Sequence, residues 1–389
     1  MRKFSFISVI AILIAVSVLS CNKDVPVTGV QLDKTSLVIL VDKTAQLTAT
    51  VSPSDATNKD VKWESSDPEV ATVTSSGLVT AVSRGGTIIT VTTDDGNKTA
   101  SCFVEVKVDP SDPDLDPNEP NVFVSKQASK RNVLIEEFTG NGCVNCPRGH
   151  KTVDGLLAAN PKRVFAINTH AGFMSTAYGT TEGTAIDNAF NNVNGTMGYP
   201  RAAINRMAIP YGSGKYYYVV GDGDYASVTE EVLDINAYVN VDASSVINKS
   251  SRELKVHVQA YFTESPAAGT VNMINVALVQ NNVIGSQTGA STFYPAMGTN
   301  AAYTHNHMLR KNITGTWGEE MPANASGTLY EKTFTYTIPA VIGDGAGAVT
   351  AVLENLEIIV YVTQKQTQTS GKVYSYPVIN VNKSSIVLK

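Results

Sequence analysis

Past its first two dozen residues, the chain has a hydrophobic pattern of period two at both ends and a helical pattern between them. From Val25 to Val108, short runs rich in Val, Thr and Ser are separated by turn residues, and apolar and polar positions alternate in Leu47-Thr-Ala-Thr-Val51. Such a pattern predicts a succession of short, half-buried strands with little helix. The middle reads differently. Val133, Leu134, Ile135 and Phe138 form an apolar run of strand length, and Val153, Leu156 and Leu157 then recur at helical spacing behind Pro147, a residue suited to a first helical turn. Val164, Phe165 and Ile167 predict a further strand. Ile186, Ala189, Phe190 and Val193 fall at i, i+3, i+4 and i+7, and Thr184-Ala-Ile-Asp187 has the form of a capping box, so a helix is predicted from Thr184 to about Asn194. Ala171 to Gly183 reads as a loop, Pro210 to Asp224 as a polar, tyrosine-bearing excursion, and Val228 to Leu233 as a closing helix. From Ile235 onward alternation returns: Leu254, Val256, Val258, Ala260 and Phe262 share one face, as do Phe334, Tyr336 and Ile338, and Leu356, Ile358, Val360 and Val362. Half-buried strands with no helix between them predict an antiparallel β-sandwich.

Two stretches break these patterns. Asp109 to Pro120, DPSDPDLDPNEP, holds four prolines and five acidic residues, and predicts a stiff, extended, hydrated linker because proline favours polyproline geometry and like charges repel. Met1-Arg2-Lys3 followed by the apolar run Phe4 to Leu19 has the form of a secretory signal, with a plain signal or an N-terminal anchor as the other readings. It ends in Val18-Leu19-Ser20-Cys21, which resembles the lipobox of bacterial lipoproteins; the resemblance implies that Cys21 carries lipid and becomes the first residue after cleavage.

Composition narrows the function. At 389 residues the chain is long enough for two to four domains. With 17% charged residues and a net charge of −5 it has no basic footprint, so no nucleic-acid partner is expected. Four cysteines in this length do not make a disulfide scaffold. No phosphate loop, G-x-S-x-G elbow or paired-carboxylate signature is present. Chemistry concentrates instead at Cys143-Val-Asn-Cys146-Pro147, between the first apolar strand and the helix that follows. Two thiols at that spacing point to redox chemistry: Cys143 sits ahead of a helix N-terminus, where free amide N–H groups favour a thiolate, and Cys146 is near enough to close the ring. The other readings are a structural disulfide, or a metal site drawn from Cys143, Cys146, His150 and His170. Pro147 excludes a c-type haem, which needs histidine directly after the second cysteine. His305 and His307 would share a face in a strand, as half of a metal site or as a contact between loops. Trp317, flanked by Gly315 and Gly318, reads as interdomain packing or a ligand platform. Cys102 reads as a buried, unpaired side chain.

These residues resemble the thioredoxin superfamily. Glu137, six residues before Cys143, stands where thioredoxins place a buried acid that shuttles protons for the second thiol, and Phe138 matches the aromatic beside it. Gly198-Tyr199-Pro200-Arg201-Ala202-Ala203-Ile204-Asn205 is similar to the segment that carries the superfamily's cis-proline. The resemblance implies catalytic roles for Cys143, Cys146, Glu137 and Pro200. Gly142 replaces the usual tryptophan before the first cysteine. Residues 25–108 resemble the bacterial immunoglobulin-like domain, group 2, through Val30-Gln-Leu32, Val61-Lys-Trp63, Ala71-Thr-Val73 and Gly77-Leu-Val-Thr-Ala-Val82. Val133 to Gly140, the cysteine motif, Gln287, Tyr303-Thr-His305-Asn-His307-Met-Leu309-Arg310 and Thr314-Gly-Thr-Trp317-Gly318-Glu319 together resemble the outer membrane protein 28-related lipoproteins of bacteroidal bacteria.

The expected architecture is multidomain. It comprises a signal peptide (1–20), a lipidated tether (21–24), an all-β immunoglobulin-like sandwich (25–108), a linker (109–121), an α/β thioredoxin-like domain (122–235) and an antiparallel β-sandwich (236–389). Two functions are expected from it. One is thiol-disulfide exchange with a protein partner outside the cytoplasm; the other is non-catalytic binding of a surface ligand, or adhesion, on a thioredoxin-like scaffold. Both place the protein at the outer membrane, held to the bilayer through acylated Cys21, and neither calls for a cofactor.

Overall fold

The computed structural model describes residues 24–83, 85–107, 120, 122, 124–172, 177–194, 198–210, 216–297, 300–322, 325–343, 348–365 and 376–389. The signal stretch, Cys21 and all of the acidic linker except Pro120 lie outside the described residues.

The N-terminal strands form a small sandwich. Ser36–Leu40, Thr99–Lys107, Gly85–Thr93 and Val61–Ser65 make one sheet in that order, and Thr44–Gln46, Leu78–Ala81 and Ala71–Val73 make another. Leu47, Val79, Ile89 and Val104 fill the space between them, with Trp63 packed on that core and Cys102 buried and unpaired within it.

The middle of the chain builds an α/β unit. Strand β1 (Val133–Thr139) leads into α1 (Cys146–Ala159), β2 (Val164–His170), α2 (Thr181–Asn194), β3 (Arg201–Ile204) and α3 (Tyr225–Leu233). Parallel β1 and β2 pair from Val133↔Val164 to Thr139↔His170, and β3 lies antiparallel on the other side of β1. Both faces of β1 are buried, which is why its apolar run is nearly continuous. The helix predicted from Thr184 begins instead at Thr181. Thr180 accepts from the Gly183 N–H at 3.1 Å and so takes the capping role, while Asp187 is buried and serves elsewhere.

Among the remaining strands are β4 (Val239–Ile247), β5 (Glu253–Phe262), β6 (Val271–Gln280), β7 (Tyr303–His305), β8 (Met308–Asn312), β9 (Leu329–Thr337), β10 (Leu356–Lys365), β11 (Val378–Lys383) and β12 (Ser385–Leu388). One sheet runs β9-β5-β4-β12. The other is continuous with the α/β unit: β8 pairs in parallel with β2 at Asn168↔Met308, and the order runs β3-β1-β2-β8-β6-β10-β11. This sheet curls until β11 returns to β1, where the Val378 N–H reaches the Asn205 carbonyl and Asn380 Oδ1 accepts from the Asn132 N–H.

That curl corrects one expectation. Strand β10 was predicted to be half buried, yet Ile359 and Tyr361 are as buried as Ile358 and Val360. One set faces the sandwich core with Leu254, Val256 and Phe262; the other joins Leu134, Phe165, Ile167 and Val381 inside the curl.

Candidate functional site

The end of β1 and the start of α1 place the two cysteines. They are joined as a disulfide, with Cys143 4% exposed and Cys146 fully buried. Helix α1 begins at Cys146, and its cap residue Asn145 makes no side-chain bond to the helix. The Cys146 N–H donates instead to the Cys143 sulfur at 3.1 Å, so the sulfur occupies the position of a capping acceptor. A thiolate there would gain from that N–H and from the helix dipole.

Glu137, on β1, is buried with neither carboxyl oxygen hydrogen-bonded. Desolvation first, then the nearby Asp154 and Asp222 carboxylates, hold it well above the ordinary carboxylate range, against a smaller favourable contribution from the Tyr225 hydroxyl. Burial thus favours its neutral form. Pro200 follows a cis peptide bond from Tyr199. Glycine at position 149 is what brings α1, Glu137 and Pro200 together: a Cβ there would lie 2.2 Å from Glu137 Oε1 and 2.7 Å from Pro200 Cβ. Replacing Gly149 with Ala gains about 1 kcal/mol of helix propensity, but the proline ring cannot yield, and overpacking costs roughly 1–3 kcal/mol. Urea unfolding is therefore expected to show a net loss, and a Gly149→Ala protein as stable as the parent would refute the close packing.

Asp187 on α2 fixes both neighbours of Pro200. Its Oδ2 accepts from the Tyr199 hydroxyl at 2.8 Å, and its Oδ1 pairs with the Arg201 guanidinium, which lies over the Phe138 and Tyr199 rings. All of these but Tyr199 are buried.

The sandwich closes over the cysteine loop. Gln287 Nε2 donates to the Gly140 carbonyl at 3.2 Å and the Cys143 carbonyl at 2.9 Å, and the Thr288 N–H donates to the Asn141 carbonyl. Gly289, at φ +78°, leaves no room for a side chain, since its Cβ would lie 2.1 Å from the Val144 carbonyl oxygen. Val144 projects from the loop, 57% exposed.

Behind the loop lies a cluster of buried histidines and tyrosines. His150 Nε2 faces the Thr139 hydroxyl at 2.9 Å and Glu137 Oε2 at 3.7 Å, while its Nδ1 meets the Tyr303 hydroxyl at 2.8 Å. His305 packs against His170, Tyr178 and Tyr303 with ring centroids 4.8–5.1 Å apart. Burial, with smaller contributions from His305 and His307, pushes His150 down to about 3; burial pushes His305 down to about 4 and holds His170 well below the ordinary histidine range. All three are neutral imidazoles at neutral pH.

Two expectations change accordingly. His305 and His307 do not share a face, because β7 ends at His305 and His307 turns out at φ +54° to sit 3.5 Å from Glu357. The suggested ligand set Cys143, Cys146, His150 and His170 does not assemble, since the sulfurs are bonded to one another and both His150 nitrogens are engaged. Among the described residues no group of three or more His, Cys, Asp or Glu side chains is arranged to hold a metal ion. Trp317 stacks on Tyr376 and lies over Arg206, as interdomain packing requires. Gly149, Gly289 and Tyr294 carried no recognisable signal in the sequence, and Asp187 was legible only as part of a capping box; Gln287 and Tyr303 were visible only as parts of a family pattern.

A mixed α/β unit bearing a closely spaced cysteine pair, consistent with a thioredoxin-like fold, is thus joined to a β-sandwich and preceded by an immunoglobulin-like one. Residues 187–388, just over half of the chain, match the family of outer membrane protein Omp28, and the chain belongs to that family. Residues 26–104 match the bacterial Ig-like domain, group 2. Among curated proteins, an uncharacterized protein of Clostridium acetobutylicum is 42% identical over 88 residues, 22% of each chain. The Ig-like virion protein of Serratia phage KSP90 is 46% identical over 83 residues, 21% of this chain and 32% of its own. The chain therefore spans less than a third of the length of either relative. Among solved structures, HBP35 of Porphyromonas gingivalis is similar at 18% identity and a TM-score of 0.49, over 66% of this chain and 76% of that one.

Proposed function

We propose that this chain is a lipid-anchored protein of the outer membrane that exchanges a disulfide with a thiol-bearing protein partner. The observation that carries the reading is the Cys143–Cys146 disulfide at the N-terminus of α1, with the buried acid Glu137 and cis-Pro200 packed against the same helix at Gly149. A partner thiolate attacks Cys143 Sγ, the Cys143–Cys146 bond breaks, and Cys146 leaves as a thiolate that Glu137 protonates. A second partner thiol then releases Cys143 and carries away the new disulfide. Cys21 holds the lipid, and the immunoglobulin-like domain acts as the spacer. Among the described residues no helix is long and apolar enough to cross a membrane.

A second reading, a binding or adhesion protein with a static disulfide, is favoured by one observation: Cys143 is almost covered, its loop held by Gln287. The reduction potential of the pair decides between them. Equilibration with glutathione and thiol trapping is expected to give a value among the exchange catalysts, about −270 to −120 mV. A value below about −300 mV would mark a structural disulfide.

A further inference from the structure

Glu137 presents a transport problem. It is fully buried beneath α1, so a proton given to Cys146 has to be replaced from solvent. The Tyr225 hydroxyl also faces the carboxyl and is itself buried, with Asp222 near both. On the opposite side a series of polar groups leads towards the surface, with one gap beside the carboxyl. Thr139, two residues along the same face of β1, meets His150 Nε2 at 2.9 Å, and the Glu137 carboxyl lies 3.7 Å from the same nitrogen, a gap that has to close for a proton to pass. His150 Nδ1 meets the Tyr303 hydroxyl at 2.8 Å. The Tyr303 and Tyr294 rings pack edge to face at 5.5 Å, their hydroxyls close enough to influence one another. The Tyr294 hydroxyl donates to Asp154 Oδ2 at 2.8 Å, and Asp154 is exposed on α1.

We propose that the sandwich supplies a proton relay for the buried acid, running from Glu137 through Thr139 and His150 to the Tyr303 and Tyr294 hydroxyls and out at Asp154. This rests on the exchange reading above and deepens it. In the forward direction the electron pair of the broken Cys143–Cys146 bond goes to Cys146 Sγ, Glu137 gives that sulfur its proton, and the relay returns one proton from solvent to Glu137. A dithiol supplies the two electrons and leaves as a disulfide. His150 suits the middle of such a chain: held neutral and bonded at both nitrogens, it accepts at one as it donates at the other. The groups facing Glu137 are Asp154, Asp222, Tyr225 and His150, and those facing His150 are Glu137, Tyr303, His170, His305 and His307. The two tyrosines come from the segment between β6 and β8, so the α/β unit borrows its outlet from the sandwich.

The test uses the full chain and its Tyr303→Phe and Tyr294→Phe variants, which keep the rings and remove only the hydroxyls. Dithiothreitol is the reductant, and the rate of reduction of the native pair is followed by thiol trapping across neutral to alkaline pH, in H2O and D2O. Both variants are expected to be slowed roughly tenfold or more at neutral pH, with the final reduced fraction unchanged and the pH profile of the rate shifted. A packing role for the rings would leave that profile in place. If the parent pair is reduced and both variants match it in rate and profile, the relay is overturned while exchange stands. If the parent pair resists dithiothreitol without denaturant, the exchange reading fails first and takes the relay with it. Tyr294 is only half buried, so its variant keeps the test decisive even if Tyr303→Phe misfolds.

Discussion

Lowering the pH from about 7 to about 4.5 is expected to remove about 2–3 kcal/mol of folding stability, a sizeable part of what an ordinary domain possesses. The cause is the buried imidazole cluster. His150, His170 and His305 have folded values depressed below the unfolded one, so each contributes stability that is complete above the ordinary histidine range and is lost as pH falls through its folded value. Between those limits the unfolded chain binds the extra proton, and each histidine removes about 1.4 kcal/mol per pH unit, roughly 4 kcal/mol per unit for the three. Two carboxyls oppose them. Glu137, held above the ordinary carboxylate range by burial, and Asp242, pushed up to about 6 mainly by burial, both favour the folded state as pH falls, returning up to roughly 3 kcal/mol per unit until they are protonated in the unfolded chain too. The histidines prevail because they are more numerous. Urea denaturation at stepped pH, with histidine ring protons followed by NMR, measures this. Flat stability down to pH about 4.5, or these three histidines titrating near 6.5 in the folded protein, would contradict it.

Glu136→Gln is expected to cost about 3–5 kcal/mol, although it changes a single atom. Glu136 Oε2 and Oε1 accept from Arg206 Nε at 2.6 Å and Nη2 at 2.7 Å, with both side chains buried where the α/β unit meets the sandwich and the guanidinium set over Trp317 and Tyr361. The amide leaves that guanidinium charged, dehydrated and without its counter-ion. Arg206 follows Asn205 in a pair of left-handed residues, at φ +46° and +50°, conformations an arginine adopts only when its surroundings hold it there. Asn205 supplies part of that hold: its Oδ1 accepts from the Leu134 N–H at 2.6 Å, and its Nδ2 donates to the Asn132 carbonyl. Replacing Glu136 and Arg206 together with Leu and Met is expected to recover most of the loss, because the buried charge goes with its partner. A loss under about 1 kcal/mol for Glu136→Gln alone would show that the pair is solvated.

The sequence was most informative where side-chain periodicity reports burial directly. The apolar run at Val133, the helix behind Pro147 and the alternation from Leu254 to Phe262 are each a local pattern produced by one face meeting a core. It was least informative where burial comes from distant chain. Nothing near Ile359 or Tyr361 announces that the sheet curls back on itself, and the capping box at Thr184 and Asp187 is a sound local motif that a stronger demand, the counter-ion for Arg201, overrides. At the candidate site, Cys143 and Cys146 were legible from their spacing, and Glu137 and Pro200 through the family resemblance. Gly149 and Gly289 were not, since a glycine reveals its role only when another element lies where its Cβ would be.

The shared sheet also decides how this part of the chain can be divided. Strand β2 meets β8 beside Asn168, whose N–H donates to the His307 carbonyl at 2.7 Å. Cut after α3, the α/β unit would present that side of β2 as a raw edge, a row of unpaired amides ready to template pairing with any other extended chain. Strand β11 would at the same time lose Asn205 and Asn132. The two regions therefore behave as one heritable piece: recombination can exchange the immunoglobulin-like module at its acidic linker, whereas a break inside residues 122–389 leaves two fragments inclined to aggregate.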